Sequence, residues 1–322
     1  WIMDSVLIYD TTLRDGTQGE NINFTADEKI RIAKKLDEMG IHYIEGGWPG
    51  ANIRDQRFYE LASQETFAHA RITAFGSTRK PNTEAADDPN LKALIVSQAP
   101  AVALVGKSWT LHVEQIMDNT LEENLAMIRD SVSLLKNHDR EVIYDAEHFF
   151  DAFKDDFAYA LRTLSAAAES GADALVLCDT NGGTLPSDIQ TAVARVKAYI
   201  AEKGYRTHIG IHTHNDCGVA VASAIAAVQA GADLVQGTIN GYGERCGNAD
   251  LTSIIPILSV KMDLASSPRE NLAQISGLSR FVSETANMIP LHARPFVGKS
   301  AFAHKGGLHV NAIMKKPLAY EH

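Results

Sequence analysis

What the sequence lacks narrows its class before any motif is read. No apolar run approaches the roughly 20 residues of a membrane-spanning helix, and the first residues carry no signal-peptide pattern. Cysteine is scarce: Cys178, Cys217 and Cys246 are the three, and none sits in a CxxC pair. That usage argues against a disulfide framework and suits free thiols in a reducing cytoplasm. An excess of positive charge is missing too. Lys+Arg 30 against Asp+Glu 40 leaves −10, which speaks against nucleic acid or an anionic membrane as the main partner. No low-complexity stretch interrupts the chain. A GxGxxG fingerprint is absent after the first strand-like run, and both GKS tripeptides (Gly106-Lys107-Ser108 and Gly298-Lys299-Ser300) lack the first glycine of a P-loop, having Ala101 and Ala293 there.

What remains is an ordinary globular composition, 45% hydrophobic and 22% charged over 322 residues, enough for one large α/β barrel or two domains. Short β-branched runs alternate with amphipathic helical stretches, the pattern of βα units around a parallel sheet. Strands are expected at 6–10, 42–45, 72–75, 102–105, 142–144, 174–177, 209–211 and 234–236. Between them, helices are expected at 27–39, 121–135, 157–169, 188–201 and 218–230. Thr25 and Glu28 form a capping box for the first helix. Three helices run into the same glycine hinge, at Gly40, Gly171 and Gly231. Eight strands over about 255 residues predict a (β/α)₈ TIM barrel, with an open doubly wound sheet as the alternative. The barrel is expected to occupy residues 1–265. Residues 266–322 then form a small C-terminal helical lid appendage, rich in Gly, His and Lys from Ser300 to Met314. Trp1 in place of an initiator Met, and an end at Tyr320-Glu321-His322 without a helix stop, lead to the expectation of a longer natural protein.

In such barrels the chemistry gathers at the C-terminal ends of the strands. Polar residues fall there repeatedly: Arg14 and Asp15 after strand one, Glu45 at strand two, Glu147 after strand five. Asp179-Thr180-Asn181 closes strand six, His212 and His214 close strand seven, and Glu244, Arg245 and Asn248 follow strand eight. In an extended chain residues i and i+2 point the same way, so His212 and His214 offer two imidazoles to one space. Taken alone, such a pair also fits two hydrogen-bonded core histidines. With Asp15 it makes a mixed oxygen and nitrogen set that would suit Zn²⁺, Mn²⁺, Fe²⁺, Co²⁺ or Mg²⁺, and ligand softness does not choose among them. Open positions on such a cation would take a chelating 2-oxo acid and polarise its keto group. Arg14 is placed to stabilise a developing negative charge. Glu147 could hydrogen-bond the substrate or assist proton movement. Glu45 and Glu244 read as structural partners of arginine or backbone. The substrate's size would be set by strand-end side chains such as Phe75 and Tyr144.

Three stretches carry a family resemblance: Tyr9-Asp10-Thr11-Thr12-Leu13-Arg14-Asp15-Gly16-Thr17-Gln18, Gly210-Ile211-His212-Thr213-His214-Asn215-Asp216 and Gly243-Glu244-Arg245-Cys246-Gly247-Asn248-Ala249. In this order they resemble the 2-isopropylmalate/homocitrate/citramalate synthases of the DRE-TIM metallolyase superfamily. Residues 44–52 and 105–109 look most like the citramalate-forming branch. The resemblance implies a Claisen condensation between acetyl-CoA and a 2-oxo acid, pyruvate first. It implies a divalent metal (Mn²⁺, Zn²⁺, Mg²⁺ or Co²⁺) on Asp15, His212 and His214, with Asn248 a near or weak ligand. Arg14 would bind the keto oxygen, and Tyr144, Glu147 and Thr180 would contact the 2-oxo acid. His309 and Tyr320 match tail residues that help deprotonate acetyl-CoA over a neighbouring subunit's site, which implies a homodimer. His148 departs from the family's usual Asp after Glu147, and the family's C-terminal regulatory domain is expected to be missing from these residues. A lyase or aldolase on the same barrel, and a non-catalytic metal-binding protein, are the rival readings.

Overall fold

The computed structural model of the chain describes residues 5–264 and 267–316. Eight parallel strands close into a barrel in sequence order: β1 (Leu7–Asp10), β2 (Tyr43–Gly47), β3 (Arg71–Ser77), β4 (Ala101–Lys107), β5 (Glu141–Glu147), β6 (Ala174–Asp179), β7 (His208–Thr213) and β8 (Leu234–Gly237). β8 pairs back onto β1 from Leu7↔Leu234 to Asp10↔Gly237, so no edge is left open. The helices between strands are α1 (Ala26–Met39), α2 (Ile53–Ala62), α3 (Pro89–Val96), α4 (Leu121–Asn137), α5 (Phe149–Asp155), α6 (Phe157–Glu169), α7 (Pro186–Lys203) and α8 (Ala220–Ala230). The expected barrel is therefore the observed one, and the doubly wound alternative falls.

Local chemistry explains where elements start and stop. Thr25 accepts from the Glu28 amide while the Glu28 side chain accepts from the Thr25 amide, the expected capping box. The three hinge glycines take left-handed φ values of 90° (Gly40), 97° (Gly171) and 108° (Gly231), which a side chain would resist. Strand ends extend beyond the sequence expectation by one to three residues. Polar groups such as Lys107, Glu147 and Asp179 continue the ladder there.

Alternation along each strand sorts side chains into two cores. Inward residues Tyr9, Tyr43, Phe75, Ala103, Ile143, Val176 and Leu234 fill the barrel. Outward residues such as Ile8, Ile44, Val102, Leu104, Leu175 and Ile211 pack under the helices. At the top of β2 a buried Lys29 on α1 donates to the Gly46 carbonyl at 2.8 Å and to Asp55 at 2.6 Å. Asp55 in turn accepts from the Trp48 amide, so α1 and α2 together hold the loop that carries Trp48 to the barrel mouth.

The chain after β8 contributes α9 (Leu251–Pro256), α10 (Ile275–Thr285) and α11 (Gly307–Lys315). α10 buries Ile275, Leu278 and Val282, and Asn240 of the β8 loop donates to the Ser279 carbonyl at 2.9 Å. This part of the tail is wall, whereas α11 has no buried residue. No helix among the described residues is long and apolar enough to cross a membrane.

Two outcomes test this packing. A Cβ on Gly46 would lie 1.9 Å from the buried Phe58 ring, so Gly46→Ala should cost about 1–3 kcal/mol in urea unfolding. His42 accepts from the Ile8 amide, and burial lowers its pKa to about 4 from the ordinary 6.5. The unfolded chain thus binds the extra proton first, and stability should fall as pH drops from about 6.5 towards 4. In His42→Gln the loss between pH 7 and pH 5, followed by urea midpoint, should be smaller.

Candidate metal centre and active-site cavity

The C-terminal mouth of the barrel opens into a cavity of about 510 Å³. Its floor is built around Glu45, a carboxylate with no solvent exposure. Tyr9 donates its hydroxyl to Glu45, Thr11 donates at 2.7 Å, and the Arg14 Nε donates as an ion pair. Three donors offset the cost of burying that charge. Arg14 also lies over the Phe75 ring at 3.9 Å, so its guanidinium is fixed from two sides before anything binds. The sequence reading of Glu45 as a structural arginine partner fits this geometry.

Beside Arg14 the three expected ligands converge. His212 Nε2 lies 3.3 Å from Asp15 Oδ2 and 3.2 Å from His214 Nε2, and His214 Nε2 lies 4.0 Å from the same Asp15 oxygen. One donor atom from each residue lies within 4.8 Å of the others, and all three residues are buried. An isolated bridge from His214 to Asn248 brings the β8 loop alongside. Asp15 Oδ1, His214 Nδ1 and Asn248 Oδ1 are buried without a hydrogen-bond partner. Buried polar atoms are rarely left so. The atoms that face one another, Asp15 Oδ2, His212 Nε2 and His214 Nε2, are the oxygen and nitrogen donors that suit a divalent cation. Electrostatics agree. Burial alone would raise the Asp15 carboxyl, but Arg14 and the two imidazoles hold it well below its usual range. Burial and the neighbouring His212 push His214 down to about 4, whereas at His212 burial is outweighed by Asp15, which draws its pKa up.

Other predicted residues divide. Glu147 and Thr180 line the cavity, with Glu147 paired to Lys107 across the β4–β5 ladder. The Thr180 hydroxyl accepts from the His148 amide at 2.8 Å, which leaves its own proton to donate elsewhere. Tyr144 is a correction. It does not line the cavity: its ring packs outside the barrel, where it blocks any side chain at Gly106. The alternation that sends Glu147 inward sends Tyr144 outward and puts Asp145 in the cavity wall instead. Burial, with Glu45 nearby, raises the Asp145 carboxyl to about 7. His309 stands on exposed α11, near His304, and is not among the described residues lining the cavity. Tyr320 lies outside the described residues.

Sequence reasoning missed Asp145, Gln236, Arg79 and Cys178. Cys178 and Asp145 were findable from strand phase. Arg79, held by Glu123 and Asp130, carries no local sequence signal. On the far side of the mouth, Arg245 pairs with Asp216 and Glu244 and donates to the Thr180 carbonyl at 2.7 Å, tying the loops after β6, β7 and β8. Glu244 thus has the arginine partner expected of it.

Fold and site together define a (β/α)₈ barrel with a buried three-residue cluster at its C-terminal mouth that could hold a cation. The family model described as HMGL-like matches residues 5–282, and the chain belongs to that family. It is 52% identical over 319 residues to the (R)-citramalate synthase of Aquifex aeolicus, covering 99% of this chain and 60% of that protein. The (R)-citramalate synthase of Geobacter sulfurreducens is 51% identical, with 99% and 60% covered. Homocitrate synthase AksA of Methanopyrus kandleri is 34% identical, with 99% and 75% covered. The chain thus spans about 60% of the length of the citramalate synthases it matches. Among solved structures, an HMG-CoA lyase of Bacillus subtilis superposes with a TM-score of 0.73 at 19% identity, covering 90% of this chain and 96% of that one. At that identity it speaks for the fold alone.

If the three residues form one cation site, Asp15→Asn should weaken Mn²⁺ binding at least tenfold, read by titration calorimetry on metal-stripped protein. Unchanged affinity would remove Asp15 from the site.

Proposed function

We propose that this chain is the catalytic barrel of a cytoplasmic enzyme that condenses acetyl-CoA with a 2-oxo acid, pyruvate before others, to give citramalate. The observation that carries the reading is the buried Asp15–His212–His214 cluster with unpartnered donors, set beside a preorganised Arg14. The identity of about 50% to several (R)-citramalate synthases supports the choice of pyruvate over larger 2-oxo acids. The more distant homocitrate synthases fit it less well.

In this reading Asp15, His212 and His214 hold a divalent metal, Mn²⁺, Zn²⁺, Mg²⁺ or Co²⁺, with Asn248 beside them. When bound it supplies Lewis-acid polarisation of the keto group. Arg14, already desolvated and oriented by Glu45, stabilises the negative charge that grows on the keto oxygen as the new carbon–carbon bond forms. Thr180, whose hydroxyl proton is free to donate because the His148 amide occupies its acceptor side, orients the substrate carboxylate. Glu147, with its Lys107 partner, lines the cavity with Thr180, contacts the 2-oxo acid and assists proton movement. The acetyl methyl loses its proton, its carbon attacks the keto carbon, and water then cleaves the thioester to release free CoA. His309 and Tyr320, on the lid part of the tail that follows α10, serve deprotonation at the neighbouring subunit's site in a homodimer. A regulatory domain beyond these residues would account for the remaining length of the relatives.

The test is thiol release from acetyl-CoA with pyruvate, 2-oxoisovalerate or 2-oxoglutarate, with Mn²⁺ and again with EDTA. Metal-dependent release preferring pyruvate is expected; preference for another acid would move the substrate and keep the mechanism. Carbon–carbon cleavage of a hydroxyacyl-CoA without any condensation would favour a lyase instead.

A further inference from the structure

Gln236 stands between a ligand of the cluster and a carboxylate of the cavity wall. It lies on β8, adjacent in register to His212 on β7, and only 1% of it is exposed. His212 Nδ1–H donates to Gln236 Oε1 at 2.9 Å, and Gln236 Nε2 donates to Asp145 Oδ1 at 2.9 Å. Asp145 comes from β5, across the barrel interior, and is itself 4% exposed.

A glutamine amide has one accepting and one donating end, and turning it over exchanges them. Asp145 decides which end faces which way. When ionised its oxygens can only accept, so the NH₂ end is drawn to it and the carbonyl end is left facing His212. A carbonyl can only accept, so His212 must carry its proton on Nδ1. Nε2 is then the ring nitrogen left to bind a cation, and it is the atom that faces Asp15 at 3.3 Å and His214 at 3.2 Å. His214 has no such support, since its Nδ1 is buried without a partner. The two imidazoles are therefore unequal.

We infer that Asp145 and Gln236 are positioning residues that hold His212 in the tautomer a metal requires, through the relay Asp145–Gln236–His212. The inference rests on the metal reading above and adds the part of the barrel interior that prepares the ligand. Partners of this kind commonly change metal affinity by 10–100-fold when removed.

Three variants test it: Asp145→Leu, Asp145→Asn and Gln236→Leu. Mn²⁺ affinity is read by calorimetry, and the His212 tautomer by long-range ¹⁵N–¹H NMR of metal-free protein carrying labelled histidine. Asp145→Leu and Gln236→Leu should each weaken Mn²⁺ at least tenfold and mix the His212 tautomers. Asp145→Asn, which keeps an oxygen acceptor, should restore affinity to within about threefold of the parent and keep Nδ1 protonated. A merely structural role would lower the melting temperature without moving the tautomer. Parent-like affinity and a pure Nδ1–H tautomer in a folded Asp145→Leu protein would overturn the inference. So would an Asp145→Asn variant as weak as Asp145→Leu. If the parent itself takes up no Mn²⁺, the functional reading fails, and the tautomer in metal-free protein still decides this one.

Discussion

Much of this molecule depends on one buried carboxylate. Glu45 lies at the top of the barrel interior, out of contact with water, and three donors converge on it from Tyr9, Thr11 and Arg14. Such a charge is stable only while its partners stay in place, so it fixes β1 against β2 and the guanidinium against the cavity. The same contact makes Arg14 an anion-stabilising group that need not reorganise during a reaction. Burying the pair is expensive, and the surrounding closed barrel makes it tolerable by holding both partners rigidly.

The parallel sheet explains why the fold was legible from sequence. Strands covered on both faces read as short continuous apolar runs, and all eight were found, though their polar ends were cut short. Lys107 and Glu147 interrupt hydrophobicity where they enter the mouth, so the ends that line the cavity are the ends that pattern reading trims. The Asp15–His212–His214 cluster was legible because its residues are few, chemically specific and placed at strand ends. Tyr144 was misread for a different reason. Two residues beside each other in sequence face opposite sides of a strand, and the inward phase follows from Glu147, not from the aromatic itself. Arg79 and Gln236 could not be found in advance: their importance lies in partners far away in sequence.

The outer tail illustrates the limits of a single chain. α10 belongs to the barrel wall through Asn240, Ser279 and Ser283, a connection invisible in local sequence. α11 presents Leu308 and Met314 to solvent. Its composition suggested a separate role, and its packing in this chain supplies no alternative one.

The clasp formed by Arg245 gives the mouth a sidedness. By gripping Asp216, Glu244 and the Thr180 carbonyl, it makes the loops after β6, β7 and β8 a single stiff arc. The opposite arc is braced differently: Arg79 after β3 pairs with Glu123 and Asp130 of α4, and Trp48 after β2 donates to Asn90 at the start of α3. The mouth is thus braced on both sides, loop to loop on one and loop to outer helix on the other.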